Sequence, residues 1–373
     1  MPSMPVASCQ RIEGRNMDQN TRPEIDFAAK THESYARSLK YFWKEAPYRR
    51  VVAEAKETGA NDVEALERNM RRSPAYQFYG WLERRSQQVK YQGRWGMVPT
   101  LARQREKLSR ILAAGATRSS ERLHLDPKFK IPDYVTETDI HQHPNGIWSS
   151  DDAPFVYEWA TGSVSFSMLD PNRPLDWYAA LMRDHCDPQL ILDIGCTVGA
   201  MSRAFKRAMP KAEIHACDVS GPAVQLAHLR AVEADQEIDY WQMNGEELSF
   251  EDDRFDLVTS HWLIHEVPPK ALRRIMREGR RVLKSGGTFA MFDMYLTPGG
   301  IVDAWLLDGY AARNNEPFMH PLRKLDMEAE LSEAGFRDVR IELSKLQATP
   351  DVLAGELPES RTHYMTVITA IAL

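Results

Sequence analysis

Hydrophobic and polar positions alternate along this chain with two periods, and the change from one to the other comes near residue 190. Between Ser34 and Ala114, apolar side chains recur at three- and four-residue steps with charges between them. In "AYQFYGWLERRSQQVKY" they are Tyr76, Tyr79, Leu82 and Val89, and Leu101, Leu108 and Leu112 continue the series. Such spacing predicts amphipathic helices with one buried stripe each. Gly93, Gly96 and Pro99 mark a break between two of them.

From Leu190 the rhythm becomes strand, turn, helix. The predicted strands are "LILDIG", "AEIHACDV", "IDYWQM", "FDLVTSH", "GTFAMFDM", "DVRIELS" and "YMTVITAIAL". Helical segments such as "GPAVQLAHLRAVEA" and "ALRRIMREGRRVLK" lie between them, and a last helix runs from the cap Asp326 to the stop Gly335. This alternation predicts a doubly wound α/β domain. The two closing strands read as an antiparallel pair, joined by "KLQATPDVLAGELPESRT", which is far longer than a hairpin turn.

Two stretches follow neither period. Residues 1–30 are polar, contain Pro2, Pro5 and Pro23, and are expected to form a mobile tail. Residues 115–175 are rich in proline, glycine and aromatics, too apolar for a linker, and are expected to pack on the following domain. The expected organisation is a tail over 1–30, a helical domain over 31–150, an aromatic cap over 151–185 and the α/β domain over 186–373.

Composition narrows the class without naming it. With 43% hydrophobic and 27% charged residues the chain can bury a sizeable core. No apolar run approaches the roughly 20 residues that span a membrane, and the start lacks a hydrophobic signal core. Four cysteines form no CxxC pair, so a reduced, cytoplasmic protein is expected. Residues 1–150 carry a net +7 and the remainder −13. The basic residues alternate with acids at helical spacing, which reads as solvated helix faces and contacts between the halves; no nucleic-acid stripe is expected.

The candidate chemistry begins at "LILDIGCTVGAMS", a buried strand entering a tight turn and a helix. Small residues there let the backbone approach a ligand, and the helix N-terminus presents free N–H groups. Asp193, Gly195 and Gly199 fit that geometry. Asp218 ends the next strand, where a carboxylate can accept both hydroxyls of a ribose. An adenosine-containing ligand is expected. The spacing matches neither the dinucleotide G-x-G-x-x-G nor a Walker A loop.

The segment resembles the class I S-adenosylmethionine-dependent methyltransferases, whose first motif runs acid-x-Gly-x-Gly-x-Gly. "MNGEELSFEDDRFDLVTSHWLIHEVP" resembles that family's third and fourth strands. "IMREGRRVLKSGGTFAMFD" is similar to its next helix and strand, with Ser285 where proline is usual. The likeness covers about residues 186–345 and is nearest the type-11 group, which includes quinone-ring methyltransferases. It implies a Rossmann-like seven-stranded core beside the mostly helical N-terminal domain, and S-adenosylmethionine as cofactor. It also implies that Asp193 and Gly195 line the methionine part, that Asp218 holds the ribose, and that Val219 lies beside the adenine. Asn244 then meets the adenine amino group, with Cys196, Gly199, Gly245 and His261 completing the pocket. The departure is Thr197, where the family carries a small residue. Either the backbone stays at negative φ and tolerates it, or cofactor affinity falls.

Methyl transfer is an in-line displacement that needs alignment, exclusion of water and, for some acceptors, removal of a proton. His265, in "SHWLIHEVP", is the candidate base. Tyr157, Trp159, Trp305, Tyr310, Asn314 and Asn315 are the candidate acceptor contacts for a small molecule. Trp148 and Phe155 are expected to share in an aromatic cap. His141 and His143 form an H-x-H pair without an evident third ligand, so no metal is expected. Three alternatives stay open: S-methylation of a thiol or thioether without a base, a non-catalytic cofactor-binding scaffold, and a helical domain that serves as a homodimer interface.

Overall fold

The computed structural model describes residues 21–165, 173–297, 299–346, 354–361 and 364–373. Residues 1–20, most of the expected tail, lie outside the described residues, as does part of the long connection before the last strand. Order begins earlier than the polar composition predicts. Helix α1 starts at Phe27, capped by Asp26, whose carboxylate accepts from Ala29 N at 2.7 Å.

The N-terminal region is helical throughout: α1 (Phe27–Lys44), α2 (Ala46–Glu57), α3 (Val63–Met70), α4 (Pro74–Tyr91), α5 (Met97–Ala102) and α6 (Arg105–Ala116). Tyr79 and Leu82 of α4, with Leu101, Leu108 and Leu112, face the interior as their spacing requires. Next come a two-residue strand β1 (Leu123–His124), a single turn α7 (Asp133–Thr136), α8 (Ala153–Ala160) and α9 (Arg173–Cys186).

The doubly wound part then runs β2 (Leu190–Ile194), α10 (Ala200–Ala208), β3 (Glu213–Asp218), α11 (Gly221–Glu233), β4 (Asp239–Gln242), β5 (Phe255–His261), α12 (Pro269–Val282) and β6 (Leu283–Asp293). The chain continues through α13 (Gly300–Asn314), α14 (Met319–Arg323), α15 (Met327–Glu333), β7 (Phe336–Leu343) and β8 (Thr366–Ala372). The sheet order is β1-β4-β3-β2-β5-β6-β8-β7. Pairing is parallel from β1 to β6, while β8 runs antiparallel to both β6 and β7. Every strand predicted from the pattern is present. The eighth, β1, is too short to carry a period and joins the edge beside β4. Strand order reverses between β2 and β5, which opens a crevice at the carboxyl ends of those two strands.

Buried clusters cover both faces of the sheet, one around Tyr178, Phe205 and Phe292, the other around Leu192, Phe255 and Phe289. A further cluster joins the N-terminal helices to α13 through Trp43, Tyr48, Tyr79 and Trp305. The Trp305 indole lies 4.4 Å from the Tyr76 ring and donates to Glu67 at 2.6 Å. Helices α6 and α8 pack on α11. The helical region thus grips the α/β sheet at two places. Among the described residues no helix is long and apolar enough to cross a membrane.

Candidate active site

The turn after β2 is built by backbone geometry. The Cys217 carbonyl of β3 accepts from Gly195 N at 2.8 Å and Cys196 N at 3.0 Å, which folds the chain back over the strand end. Gly195 and Gly199 take φ of 77° and 69°, and a Cβ on Gly199 would lie 2.5 Å from the Tyr240 hydroxyl. Thr197 is also left-handed, at φ 51°. The expectation of a negative φ is therefore corrected: threonine occupies the conformation a glycine would take, at a cost of roughly 1–2 kcal/mol. Its N–H donates to the Asp218 carboxylate at 2.9 Å, and its hydroxyl donates to the Gly195 carbonyl at 3.4 Å, so the side chain stays within the turn.

Asp218 ends β3 facing a cavity of about 580 Å³. Burial pushes its carboxyl pKa up, against the N–H groups of Ser220, Thr197 and Val219 that favour the ionised form. It is enclosed by protein yet open to the cavity, and its remaining lone pairs suit ribose hydroxyls. Val219, Asn244 and Gly245 line the same wall. The Asn244 amide oxygen already accepts from Glu246 N at 3.0 Å, which fixes the side chain beside the cavity. Asp193 lies one layer deeper, receiving Ser202 Oγ at 2.6 Å, and burial pushes its pKa up to about 7. Its Oδ1 meets no donor among the described residues. A left-handed turn with the Asp218 carboxylate open to the cavity at the next strand end fits a ribose, while Asp193, expected at the methionine part, does not line the cavity and supports the turn from below. Cys196 and Gly199 shape the turn from beneath. His261 stacks on Trp262 at 4.4 Å rather than forming the cavity wall, and burial lowers its pKa to about 4.

His265 lines the cavity and is 2% exposed. Its Nδ1 lies 2.5 Å from Asp293 Oδ1 at the end of β6, and its Nε2 lies 3.4 Å from Glu266. Asp293 is in turn fixed by Ile264 N at 2.9 Å and Met294 N at 2.6 Å. Burial opposes a charge on His265, but Asp293 and Glu266 outweigh it and hold its pKa well above the usual value.

The H-x-H pair separates. His143 stacks on Tyr91 at 5.0 Å, and burial with Lys90 and His141 nearby lowers its pKa to about 3. His141 turns the other way and bridges Glu266, at 2.6 Å from Nε2, and Glu316, which contacts Nδ1. Those carboxylates overcome burial and push its pKa up to about 10. The chain Glu316–His141–Glu266–His265–Asp293 gathers residues that lie far apart in sequence. His141, His265, Glu266 and Glu316 each bring a donor atom within 4.8 Å of the others, a set that could hold a cation. The expectation that His141 lacks further ligand-type neighbours is thereby corrected; sequence separation had hidden them.

Of the six candidate acceptor contacts, Tyr157 and Tyr310 line the cavity. The other four have different tasks. The Trp159 indole donates to Glu33 at 2.8 Å, and Trp305 is the anchor against α3 and α4 described above. Asn314 is buried and donates to Tyr310 O at 3.0 Å, and Asn315 ends α13 in the left-handed conformation. Of the expected cap, Trp148 reaches the cavity, swung in by the left-handed turn Asn145-Gly146, while Phe155 is core. The helical domain supplies residues that periodicity does not reveal: Lys40, Lys44, Lys90 and Tyr91, joined by Arg361 from the connection before β8.

Comparison with known proteins agrees with the geometry of the turn. Residues 191–287 match a family described as a methyltransferase domain. The ubiquinone biosynthesis O-methyltransferase of Xanthomonas oryzae pv. oryzae is 28% identical over 180 residues, covering 46% of this chain and 73% of its own length. That of Xanthomonas campestris pv. campestris is 32% identical over 146 residues, covering 39% and 58%. Among solved structures, Haemonchus contortus phosphoethanolamine N-methyltransferase 2 in complex with S-adenosyl-L-methionine aligns with a TM-score of 0.45 and 18% identity, over 66% of this chain and 61% of that one. S-adenosylmethionine is the cofactor of a domain of this kind. On the segment from β2 to the start of β6 rests the assignment that this chain carries a class I S-adenosylmethionine-dependent methyltransferase domain.

Proposed function

We propose that the enzyme methylates a small-molecule acceptor enclosed between the cofactor turn and the N-terminal helices. The observation that carries this reading is one continuous cavity. Thr197 and Asp218 form one wall, and Lys90 and Tyr91 of α4 form another, so the helical domain is the acceptor half of the site. A cavity of this size lies within the range for small ligands. S-adenosylmethionine supplies an electrophilic methyl group. The residues of this chain hold the ribose at Asp218, exclude water with Trp148 and Tyr157, and align the acceptor.

The charge state of the His265 network favours an acceptor that needs no base, such as a thioether sulfur. Asp293 and Glu266 favour a proton on His265, Glu316 and Glu266 favour one on His141, and those two imidazoles hold the Glu266 carboxyl well below the usual range although burial opposes it. His265 then acts as a positioning residue. Incubating the protein with methyl-labelled cofactor and a size-fractionated extract tests the main reading: label in the small-molecule fraction supports it, and label confined to macromolecules overturns it. His265→Gln separates the acceptor types. A turnover within a few-fold of wild type, in a protein of normal melting temperature, supports sulfur. A loss of a hundredfold or more in kcat points to an acceptor that must be deprotonated.

We further infer a homodimer through α1 and α4, supported by the exposed Phe27, Tyr35 and Phe42 on one helix and Phe78 and Trp81 on the other. Sedimentation of the full chain checks it; a monomer at micromolar concentration would refute it. A cytoplasmic location is supported by the unpaired thiols Cys186, Cys196 and Cys217.

A further inference from the structure

Four side chains that the sequence keeps far apart converge beside the cavity. His141 comes from the segment between α7 and α8, His265 and Glu266 from the turn after β5, and Glu316 from the residue that follows the left-handed cap of α13. Each offers one ligand-type atom, and the four atoms lie within 4.8 Å of one another. His141, His265 and Glu266 line the cavity, while Glu316, 2% exposed, is not part of its lining.

The surroundings hold these groups in place. The Gln142 side chain donates to Arg313 O at 2.6 Å and the Asn315 side chain to Asp139 O at 3.4 Å, which ties the His141 segment to the end of α13 that leads to Glu316. His141 and Gln142 both take left-handed φ, 56° and 55°, a conformation that residues other than glycine rarely adopt. Asp293 accepts from His265 Nδ1 at 2.5 Å and is itself fixed by two backbone N–H groups. That leaves Nε2 of His265 on the side of Glu266, 3.4 Å away. An imidazole with one nitrogen on a carboxylate and the other turned to further ligand-type atoms is the arrangement that orients a metal-bound histidine. His141 meets one oxygen of Glu316, and the other, Oε2, is buried and meets no hydrogen-bond donor among the described residues. Glu316 therefore has a lone pair to give.

Resting on the reading of a small-molecule acceptor, we propose that His141, His265, Glu266 and Glu316 form a binding site for one divalent transition-metal ion, zinc by its donor set, beside the cavity. Two imidazoles with two carboxylates suit zinc, whereas magnesium takes oxygen ligands and keeps several of its waters. The ion would take the place of protons shared among these groups, so the ion pairs described above are the metal-free form of the same site. Three of its four ligands line the cavity, so the face that admits a fifth ligand looks into it. There the donor atom of the acceptor binds. A donor that carries a proton gives it up to solvent on binding the ion, which asks no base of His265. His265→Gln then removes a ligand, and its zinc content, read beside its turnover, tells loss of the ion from loss of a base.

The test is titration of the full chain, stripped by dialysis against a chelator, with Zn²⁺, Mg²⁺ and Co²⁺ alone, the bound metal being counted by mass spectrometry. The expected result is one Zn²⁺ per chain, held about a hundredfold or more tighter than Mg²⁺. Co²⁺ in the same place should give visible absorption bands and paramagnetically shifted imidazole N–H protons, that of His265 Nδ1 above all, a readout that needs no variant. The double substitution His141→Gln with Glu316→Gln should abolish zinc binding while S-adenosylhomocysteine still binds, which also shows that the variant is folded. Asp293→Asn, which touches His265 and not the ion, should weaken zinc binding by roughly ten- to a hundredfold. No bound zinc, Mg²⁺ held as tightly as Zn²⁺, or zinc that survives the double substitution each overturns the proposal and leaves an ion-pair network only. Absence of shifted imidazole signals from the cobalt-loaded wild type overturns it as well, whether or not the variant folds. None of these measurements uses an acceptor, so label found only in macromolecules would strike at the small-molecule reading and not at the ion site.

Discussion

The two ends of the cavity are built in opposite ways. At the cofactor end one local stretch does most of the work: Gly195, Thr197 and Gly199 bend the chain within five residues, and backbone N–H groups set the position of Asp218. At the acceptor end no two neighbouring residues share the task. Lys40, Lys90, His141, Glu316 and Arg361 come from five separate places and meet only because α1, α4 and α13 pack together. A local device leaves a signature in the sequence, whereas an assembled one leaves only ordinary residues that packing has placed.

Breaking the joint between the two ends gives the largest expected effect. Trp305→Ala removes a buried indole, at a cost of about 3–5 kcal/mol. Thermal unfolding should show it, with loss of acceptor turnover before loss of cofactor binding; no change in stability would mean that the halves do not depend on each other. Next comes the local device itself. Asp218→Ala should weaken S-adenosylhomocysteine binding by about a hundredfold, the equivalent of two buried hydrogen bonds to a charged group. Titration of the purified variant checks it.

A smaller, pH-dependent effect sharpens the comparison at the assembled end. The folded pKa of Lys90, near 7, is below its unfolded value of about 10.4, so the lysine costs stability at and below neutral pH. That cost declines as pH rises from 7 and vanishes above the unfolded pKa. Lys90→Met should therefore raise the melting temperature by several degrees at pH 6.5, with the gain fading by pH 10. A constant gain would mean that Lys90 keeps its ordinary pKa in the folded protein. The smallest effect belongs to Thr197→Gly. Relief of left-handed strain and the greater freedom of glycine in the unfolded chain oppose each other, so stability should move by less than about 1 kcal/mol. A large drop in cofactor affinity would show that the threonine side chain holds the turn open.

The same contrast explains what was legible. The apolar runs from Leu190 to Asp293 announce their strands, and Asp326 and Gly335 bracket a helix by capping chemistry alone. Asp218 was readable because it follows a strand at a set distance from the turn. Lys40 and Lys90 were not, since a lysine between apolar positions on a helix reads as a solvated face until another helix covers it. Trp305 and Asn314 were placed in the acceptor site because α13 follows a strand end; α13 in fact turns that face toward α3 and α4. His141 was noticed for its neighbour His143, which goes elsewhere, while its partner Glu316 is 175 positions away.

The placement of β8 between β6 and β7 has a consequence for how the protein is made. On the ribosome, β6 and β7 emerge before the strand that joins them, and each leaves an unpaired edge until Thr366–Ala372 is synthesised. Arg361, which lines the cavity, arrives at nearly the same moment, so sheet closure and completion of the cavity wall are almost simultaneous. A nascent chain stalled before that point should show a formed cofactor turn, a sticky sheet and a cavity open on one side.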